Sequence, residues 1–276
     1  MLDPLARAFP FLYPVLCFML LFTQAVNFNK IVNGLKLHRQ SNYLTGMSNL
    51  LITSLLPGMF SLSAPLIVNS FIIWIWGKLC ALYNNPSPKS VVFNIGLATG
   101  IAVFFYFPSV LFLLLIIAGI ATARPFRLQE WITGLVGILT PVYFFSSWLF
   151  LTGKTGSFHF PGLHFTHPHF PGNAPAYIAV LLIAIGIAAG IFFVSVNMGR
   201  QVVQTRKSWQ LLFFYLLVST FVILINNEPG LSSLILPAVP LSPVIAAAFF
   251  YPNKKMVPLL LHWAMFAVYI AVSFFL

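Results

Sequence analysis

Basic residues occupy every second gap between the apolar stretches of this sequence, and this alternation restricts the chain to one class of fold. Twelve of its fourteen lysines and arginines lie in five such gaps, and only Arg7 and Lys154 lie elsewhere. The five groups are Lys30, Lys36 and Arg39; Lys78 and Lys89; Arg124 and Arg127; Arg200, Arg206 and Lys207; and Lys254 and Lys255. Cytoplasmic loops of membrane proteins hold Lys and Arg in this way, because basic flanks resist translocation. The pattern predicts a multi-pass membrane protein whose basic gaps share one side.

The composition favours membrane insertion and argues against nucleic acid as a partner. Hydrophobic residues make up 60% of the 276 positions and charged residues 6%, whereas a soluble domain carries about 25% charge. The formal charge of +11 is spread over five short gaps rather than gathered on one face, so no nucleic-acid surface is expected. Cys17 and Cys80 lie in or beside apolar segments and predict neither a disulfide framework nor a metal site.

A helix needs about 20 apolar residues to cross the hydrocarbon core, and this rule divides the chain into ten segments. They are residues 9–27, 44–61, 65–83, 91–107, 109–123, 131–152, 176–197, 210–226, 231–250 and 257–275. The sequence therefore predicts an all-α fold, with residues 1–276 as one transmembrane domain of antiparallel hairpins. Cytoplasmic basic gaps place both termini outside. The short fourth and fifth segments are expected either to span twice or to form a re-entrant pair.

The gap between the fifth and sixth segments predicts an elbow at the level of the lipid head groups. Pro125 disfavours helix at Arg124 and suits the first turn of the next helix. Glu130 is placed to pair with Arg127 at a spacing of three residues. The elbow is either a plain anchor at the lipid heads or a phosphate site for a lipid-linked substrate. The residues expected to contact lipid or phosphate head groups are Arg124, Arg127, Arg206 and Lys207.

One external connection, residues 153–175, is long and rich in His, Phe and Pro. Clustered imidazoles can bind zinc or copper. No Cys, Asp or Glu lies nearby, however, and the spacing matches no standard site. We therefore expect a capping loop whose phenylalanines dip into the interface or onto a partner, with a metal site as the alternative. The candidate ligands for that alternative are His159, His164, His167 and His169.

The ninth segment contains three prolines, Pro237, Pro240 and Pro243. Proline has no backbone N–H to donate, so a regular helix is expected to break or kink here. Broken helices line the binding sites of many carriers, whereas plain kinks are stabilised by neighbouring helices. In the seventh segment, Gly186 and Gly190 form a Gly-x-x-x-Gly motif that permits close helix approach.

Acidic side chains are scarce, since only Asp3, Glu130 and Glu228 are present. Enzymes that use a carboxylate base or a divalent metal need several convergent carboxylates, and nothing in the sequence pairs these three. Ion-coupled transporters place an ionisable residue near the membrane midplane, and no Asp, Glu, Lys or Arg lies clearly there. We therefore expect no catalytic residue and no cofactor.

Four sequence elements carry a family resemblance. They are residues 41–44 (Ser-Asn-Tyr-Leu), 93–109 with Tyr-Phe-Pro-Ser at its end, 124–131 with Arg-Pro-Phe at its start, and 236–243. Together they resemble an uncharacterised polytopic inner-membrane protein family of Bacteroidota, a domain of unknown function. The resemblance implies a Gram-negative inner membrane and about ten helices. It assigns no catalytic residue, and the histidine-rich loop is not part of the family pattern.

Three functions stay open. The first is a non-enzymatic subunit or scaffold of an inner-membrane assembly for export or envelope biogenesis, with lipids and other integral membrane proteins as partners. The missing carboxylate cluster and the apolar surface favour it. The alternative is a carrier or flippase for a lipid-linked or amphipathic substrate, which the proline-rich segment favours. The third is a membrane-embedded transferase that depends on Glu130 or Glu228.

The orientation can be measured with reporter fusions. A reporter after Leu276 should be active outside the cytoplasm, and a reporter at Lys254–Lys255 should be active inside it, because basic flanks are retained. Paired alkaline phosphatase and fluorescent-protein fusions give the two readouts. A cytoplasmic C-terminus would mean that one segment, expected within 91–123, does not span.

Overall fold

Helix is the only regular secondary structure in the residues that this computed structural model describes, which are 12–55, 57–154, 156, 174–225, 231–252 and 256–274. The α-helices in these ranges are α1 (Leu12–Gly34), α2 (Leu44–Leu55), α3 (Ala64–Ala81), α4 (Pro88–Phe105), α5 (Phe112–Ala123), α6 (Leu128–Leu151), α7 (Ala174–Met198), α8 (Val203–Leu224), α9 (Ile235–Phe250) and α10 (Met256–Phe274). Short 3₁₀ turns follow α2 and α3 and precede α5 and α9. Each of the ten segments predicted from the sequence overlaps one of these helices.

Eight of the described helices are long and apolar enough to cross a membrane, namely α1, α3, α4 and α6 to α10. The other two, α2 and α5, have 12 residues each and are therefore about 18 Å long at 1.5 Å per residue. The 3₁₀ turn Phe107–Leu111 continues into α5 and extends its apolar run back to Phe107. The protein is thus an all-α, multi-pass membrane protein.

The end of α1 extends seven residues beyond the predicted end at residue 27. Its polar side chains bond to the loop that follows: Nδ2 of Asn29 and Nδ2 of Asn33 donate to the Asn42 carbonyl at 3.0 and 2.8 Å. The Gly46 N–H donates to Oδ1 of Asn29 at 3.2 Å and ties α1 to the first turn of α2. The predicted segment ended too early because the polar residues after position 27 were placed beyond the helix, whereas both asparagines belong to it.

Helix α9 lies at the centre of the bundle. The span that contains it, Ser232–Phe250, is 83% buried, the largest share among the eight spans. It packs against α2, α7 and α8, and also against α3. Helix α3 packs in turn against α1, α4 and α5, with Trp76 fully buried. The spans of α6 and α10 are only 11% buried, as expected for peripheral helices that face lipid.

The three prolines do not divide α9. The helix continues from Ile235 to Phe250, with Pro240 and Pro243 inside it and Pro237 in its first turn. N–H groups in a first turn have no intrahelical acceptor, so a proline is tolerated there. Pro243 leaves the carbonyl of Val239 without its usual donor, and the Ser242 hydroxyl donates to that oxygen at 2.7 Å instead. The helix therefore does not break at Pro237, Pro240 or Pro243, and the kink stays a prediction.

Glycines allow two pairs of helices to approach at backbone distance. Between α4 and α6, a Cβ atom on Gly96 would overlap the Gly134 carbonyl oxygen, and one on Gly100 would lie 2.7 Å from the Ile138 carbonyl oxygen. Between α7 and α9, a Cβ atom on Gly190 would overlap the Val244 carbonyl oxygen. The Gly-x-x-x-Gly motif predicted in the seventh segment thus lies at a helix contact.

Gly190→Ala should lower the free energy of unfolding by about 1–3 kcal/mol, because a backbone oxygen cannot move aside as a side-chain tip can. Gly186→Ala is the matched control in the same helix, since a Cβ atom there makes an ordinary contact with Ile245 at 3.5 Å. Unfolding of the detergent-purified variants measures both effects. Equal stability of the two variants would contradict the close packing of α7 on α9.

Candidate functional site

The five basic gaps meet at one end of the bundle, which we call the basic end. Its described residues are 35–43, 82–87, 124–127, 199–202 and 251–252. Nε2 of Gln201 and Nε1 of Trp209 donate to the Leu37 carbonyl at 3.1 and 3.3 Å, which joins the fourth gap to the first. Tyr251 of the fifth gap lies beside His38, with ring centroids 6.4 Å apart. Nζ of Lys207 donates to the Thr122 carbonyl and so joins the fourth gap to the third, which Arg124 joins to the second. These contacts confirm that the basic gaps share one end of the bundle.

Arg124 joins the third gap to the second. Its Nε donates to the Leu82 carbonyl at 3.2 Å, and its Nη2 donates to the Asn85 carbonyl. Its Nη1 lies 3.5 Å from Oε1 of Glu130 in the first turn of α6. The predicted pairing of Glu130 with Arg127 is therefore wrong. Arg127 is the extended residue that precedes the helix, so the rule for two helical side chains three residues apart does not apply to it.

Glu130 is the one carboxylate among the residues that the structure describes, and it is 2% exposed. Arg124 approaches its Oε1, but its Oε2 has no hydrogen-bond partner. A buried acceptor without a donor is unfavourable, and in a native protein it calls for an explanation such as a bound group. The carboxylate therefore marks this elbow as a candidate site.

A groove of about 460 Å³ lies beside Glu130, between the first turns of α4 and α6. Lys89 and Arg127 line it together with Ser87 and Ser90. Both cationic side chains are exposed, and neither has a hydrogen bond or ion pair within the described part of the chain. The N-termini of two helices add the partial positive charge of their unpaired amides. The groove thus combines two available cations with one buried carboxylate.

The other two predicted head-group contacts differ from each other. Nζ of Lys207 donates to the Thr122 carbonyl at 2.9 Å and lies 4.8 Å from the ring centroid of Tyr83. Arg206 precedes it in α8 and is exposed. Lys207, like Arg124, therefore holds helix ends together, whereas Arg206 is available at the surface. Contact of these residues with lipid head groups stays a prediction.

His38 lies in an aromatic cluster at the basic end and is 3% exposed. The rings of Trp209, Phe250 and Tyr251 lie 6.0, 5.8 and 6.4 Å from its own. Its Nε2 is 3.4 Å from Oγ1 of Thr45. Burial lowers the pKa of His38 from 6.5 to about 4, because these surroundings disfavour the imidazolium ion. No signal in the sequence pointed to this cluster, since its rings come from distant segments.

A chain of polar side chains in the interior links the middle of α1 to α3, and α3 to α8. Nε2 of Gln24 donates to the Leu66 carbonyl at 2.8 Å and to Oγ of Ser70 at 2.7 Å, both in α3. Nδ2 of Asn69 donates to Oε1 of Gln24 at 3.1 Å, and the Tyr215 hydroxyl of α8 lies 3.4 Å from Oδ1 of Asn69. These groups satisfy one another, as polar groups away from water must.

The histidine-rich loop falls almost wholly outside the described residues. His159, His164, His167 and His169 are all outside them, so the capping loop and the metal alternative both stay predictions. Within the described ranges, no three His, Cys, Asp or Glu residues are placed to hold a metal ion. The candidate site of the described chain is therefore the groove at the basic end.

Three comparisons with known proteins found no similar protein. The chain matches no protein-family model, no curated protein and no solved structure. The resemblance to a Bacteroidota membrane family therefore stays a prediction. The chemistry of the basic end and the packing of the helices are the grounds for any statement of function.

Arg124→Ala should lower the free energy of unfolding by about 3 kcal/mol, because it leaves the Glu130 carboxylate buried without its ionic partner. Arg127→Ala is the matched control, since this exposed side chain makes no ion pair and should change stability by less than about 0.5 kcal/mol. Denaturant unfolding in detergent measures the difference. Equal loss in both variants would show that the Arg124–Glu130 pair does not stabilise the elbow.

Acidification should destabilise the fold through His38. Its pKa is about 4 in the folded protein against 6.5 in the unfolded chain, so the unfolded chain binds the proton more readily. This contribution to stability is complete above pH 6.5 and is lost as the pH falls from 6.5 through 4. Unfolding temperatures measured over this range should fall less steeply in His38→Phe than in the wild-type protein. Identical slopes would contradict the assignment.

Proposed function

We propose that the protein is a non-enzymatic subunit or scaffold of a bacterial inner-membrane assembly that serves export or envelope biogenesis. The observation that carries this proposal is the closed interior. Gln24, Asn69 and Tyr215 bond to one another across α1, α3 and α8, and the central helix α9 is continuous and buried. Polar groups that hold helices together in this way suit a rigid frame rather than a route for a substrate.

The proposed membrane follows from charge and resemblance. The positive-inside rule orients the basic end toward the cytoplasm. The sequence elements that resemble a Bacteroidota family favour the inner membrane of a Gram-negative cell. An inner-membrane frame with its cations on the cytoplasmic side would also meet the anionic lipid surface there.

The outer surface of α6 supports a role in binding another integral membrane protein. This helix packs chiefly against α4. Away from that contact it presents Tyr143, Phe144 and Trp148, which are 68%, 66% and 52% exposed. Large aromatic side chains are enriched at protein interfaces, where they bury much area at little entropic cost. We therefore assign this aromatic surface of α6 to contact with a partner helix.

The carrier alternative has weaker support than the scaffold. Its main argument was a discontinuous ninth helix, and α9 is continuous across Pro240 and Pro243. A carrier of the broken-helix type needs unwound backbone near its substrate. A frame needs the opposite, a helix whose backbone groups are satisfied by their neighbours.

Purification in a mild detergent followed by mass spectrometry tests the proposal. The wild-type protein should be recovered with another integral membrane protein in stoichiometric amount. The α6 variant carries Tyr143→Leu, Phe144→Leu and Trp148→Leu. It should stay folded, since leucine suits lipid, but lose the partner. The matched α10 variant carries Trp263→Leu, Phe266→Leu and Tyr269→Leu. It should keep the partner, and recovery of the wild-type protein as a lone monomer would contradict the proposal.

A further inference from the structure

The groove between α4 and α6 lies at the ends of helices that are long enough to cross a membrane, where lipid head groups are expected. It is bounded by the first turns of two membrane-spanning helices, Pro88–Phe105 and Leu128–Leu151. Beside it, Phe126 and Leu128 are 73% and 63% exposed. Exposed apolar side chains next to an exposed arginine suit the boundary between hydrocarbon and head groups. There the apolar side chains contact the lipid tails and the arginine contacts water or head groups. A group bound in the groove therefore meets the bilayer surface.

The groove offers two different kinds of polar contact. Lys89 and Arg127 supply two cations, and both helix N-termini supply amide donors, which together suit a phosphate. Glu130 supplies an acceptor in the buried wall, and its Oε2 has no donor. Arg124 engages Oε1, so Oε2 is the oxygen that is left for a ligand. A ligand complementary to this arrangement carries a phosphate and, a short distance away, a positively charged hydrogen-bond donor.

We propose that the groove binds the phosphoethanolamine head group of a membrane phospholipid. Its phosphate lies against Lys89 and Arg127. Its ammonium group donates to Oε2 of Glu130, which is buried in the free protein and turns toward the groove when the head group binds. The groove volume of about 460 Å³ falls within the usual range for small-molecule sites. Both cations contact the single negative charge of the phosphodiester, and the ammonium group faces the carboxylate, so Lys89, Arg127 and Oε2 of Glu130 each acquire a partner.

The carboxylate makes the site selective for one head group. A choline head group has the same phosphate and the same charge, but its nitrogen has no N–H to donate. A glycerol head group can donate from a hydroxyl but has no positive charge for Glu130. Charge-assisted hydrogen bonds are roughly twice as strong as neutral ones, so both of these lipids should bind more weakly than phosphatidylethanolamine.

Native mass spectrometry of the full-length protein, stripped of lipid in detergent, tests the selectivity. Equimolar dioctanoyl phosphatidylethanolamine and dioctanoyl phosphatidylcholine compete for the protein, and their masses identify the bound lipid. We expect about tenfold more of the ethanolamine lipid to be retained, the effect of one charge-assisted hydrogen bond. The N,N-dimethyl ethanolamine lipid keeps one N–H and should bind like the ethanolamine lipid. Equal retention of the ethanolamine and choline lipids would overturn the proposal.

Variants locate the site. Glu130→Gln should abolish the preference for ethanolamine over choline while the choline lipid still binds, because only the carboxylate charge is removed. Arg127→Ala should weaken binding of both lipids about equally, since both carry the phosphate. Lys30→Ala removes an exposed cation at the end of α1 and should change neither. Unchanged selectivity in folded Glu130→Gln would place the preference elsewhere and overturn the assignment.

Arg127→Ala tests the phosphate contact even if Glu130→Gln does not fold. Arg127 is exposed and unpaired among the described residues, so its loss should leave the fold intact. Undiminished lipid binding in that variant would overturn the phosphate assignment. Glycerophosphoethanolamine, which has no acyl chains, separates the two sources of the head group. Failure of this compound to displace the lipid at equal concentration supports a phospholipid, and full displacement would make the ligand a soluble phosphoethanolamine compound.

Discussion

The concentration of positive charge at one end of the bundle is the constraint on which the rest of the structure depends. Charged side chains cannot remain in hydrocarbon without a partner, so the basic gaps fix where each helix begins and ends. The same side chains then supply hydrogen-bond donors at that end. Arg124 and Lys207 donate to backbone carbonyls of Leu82 and Thr122 at the ends of neighbouring helices. One set of residues thus orients the helices and joins their ends.

Packing inside the bundle follows a second constraint, the absence of water. Helix α9 contains three prolines yet occupies the centre, because Ser242 supplies a donor that Pro243 cannot and the neighbouring helices enclose the segment. Gly190 then allows α7 to approach the backbone of α9. Small and polar residues therefore have structural roles at the centre of this protein, where a soluble protein would use large apolar residues.

The class of fold follows from the sequence because apolar length and basic gaps are local signals, and each of the ten predicted segments overlaps a helix. The site does not follow in the same way. The acceptors of Arg124 are backbone carbonyls some forty residues away, and a carbonyl carries no signature in the sequence. The burial of Glu130 and the cluster around His38 likewise depend on which helix ends meet. Gly96 and Gly100 also have the Gly-x-x-x-Gly spacing, but this spacing is too common to identify their contact with α6 from the sequence.

The glycine contact between α4 and α6 holds these two helices together as a closely packed pair. Backbones in direct contact, with no side chains between them, leave little space for one helix to slide on the other. Helix α6 has 24 residues and is therefore about 36 Å long. Tyr143, Phe144 and Trp148 belong to its outer half, and the first turn at its opposite end forms one wall of the groove. The aromatic surface and the groove therefore lie at opposite ends of one helix, which is held against α4 between them.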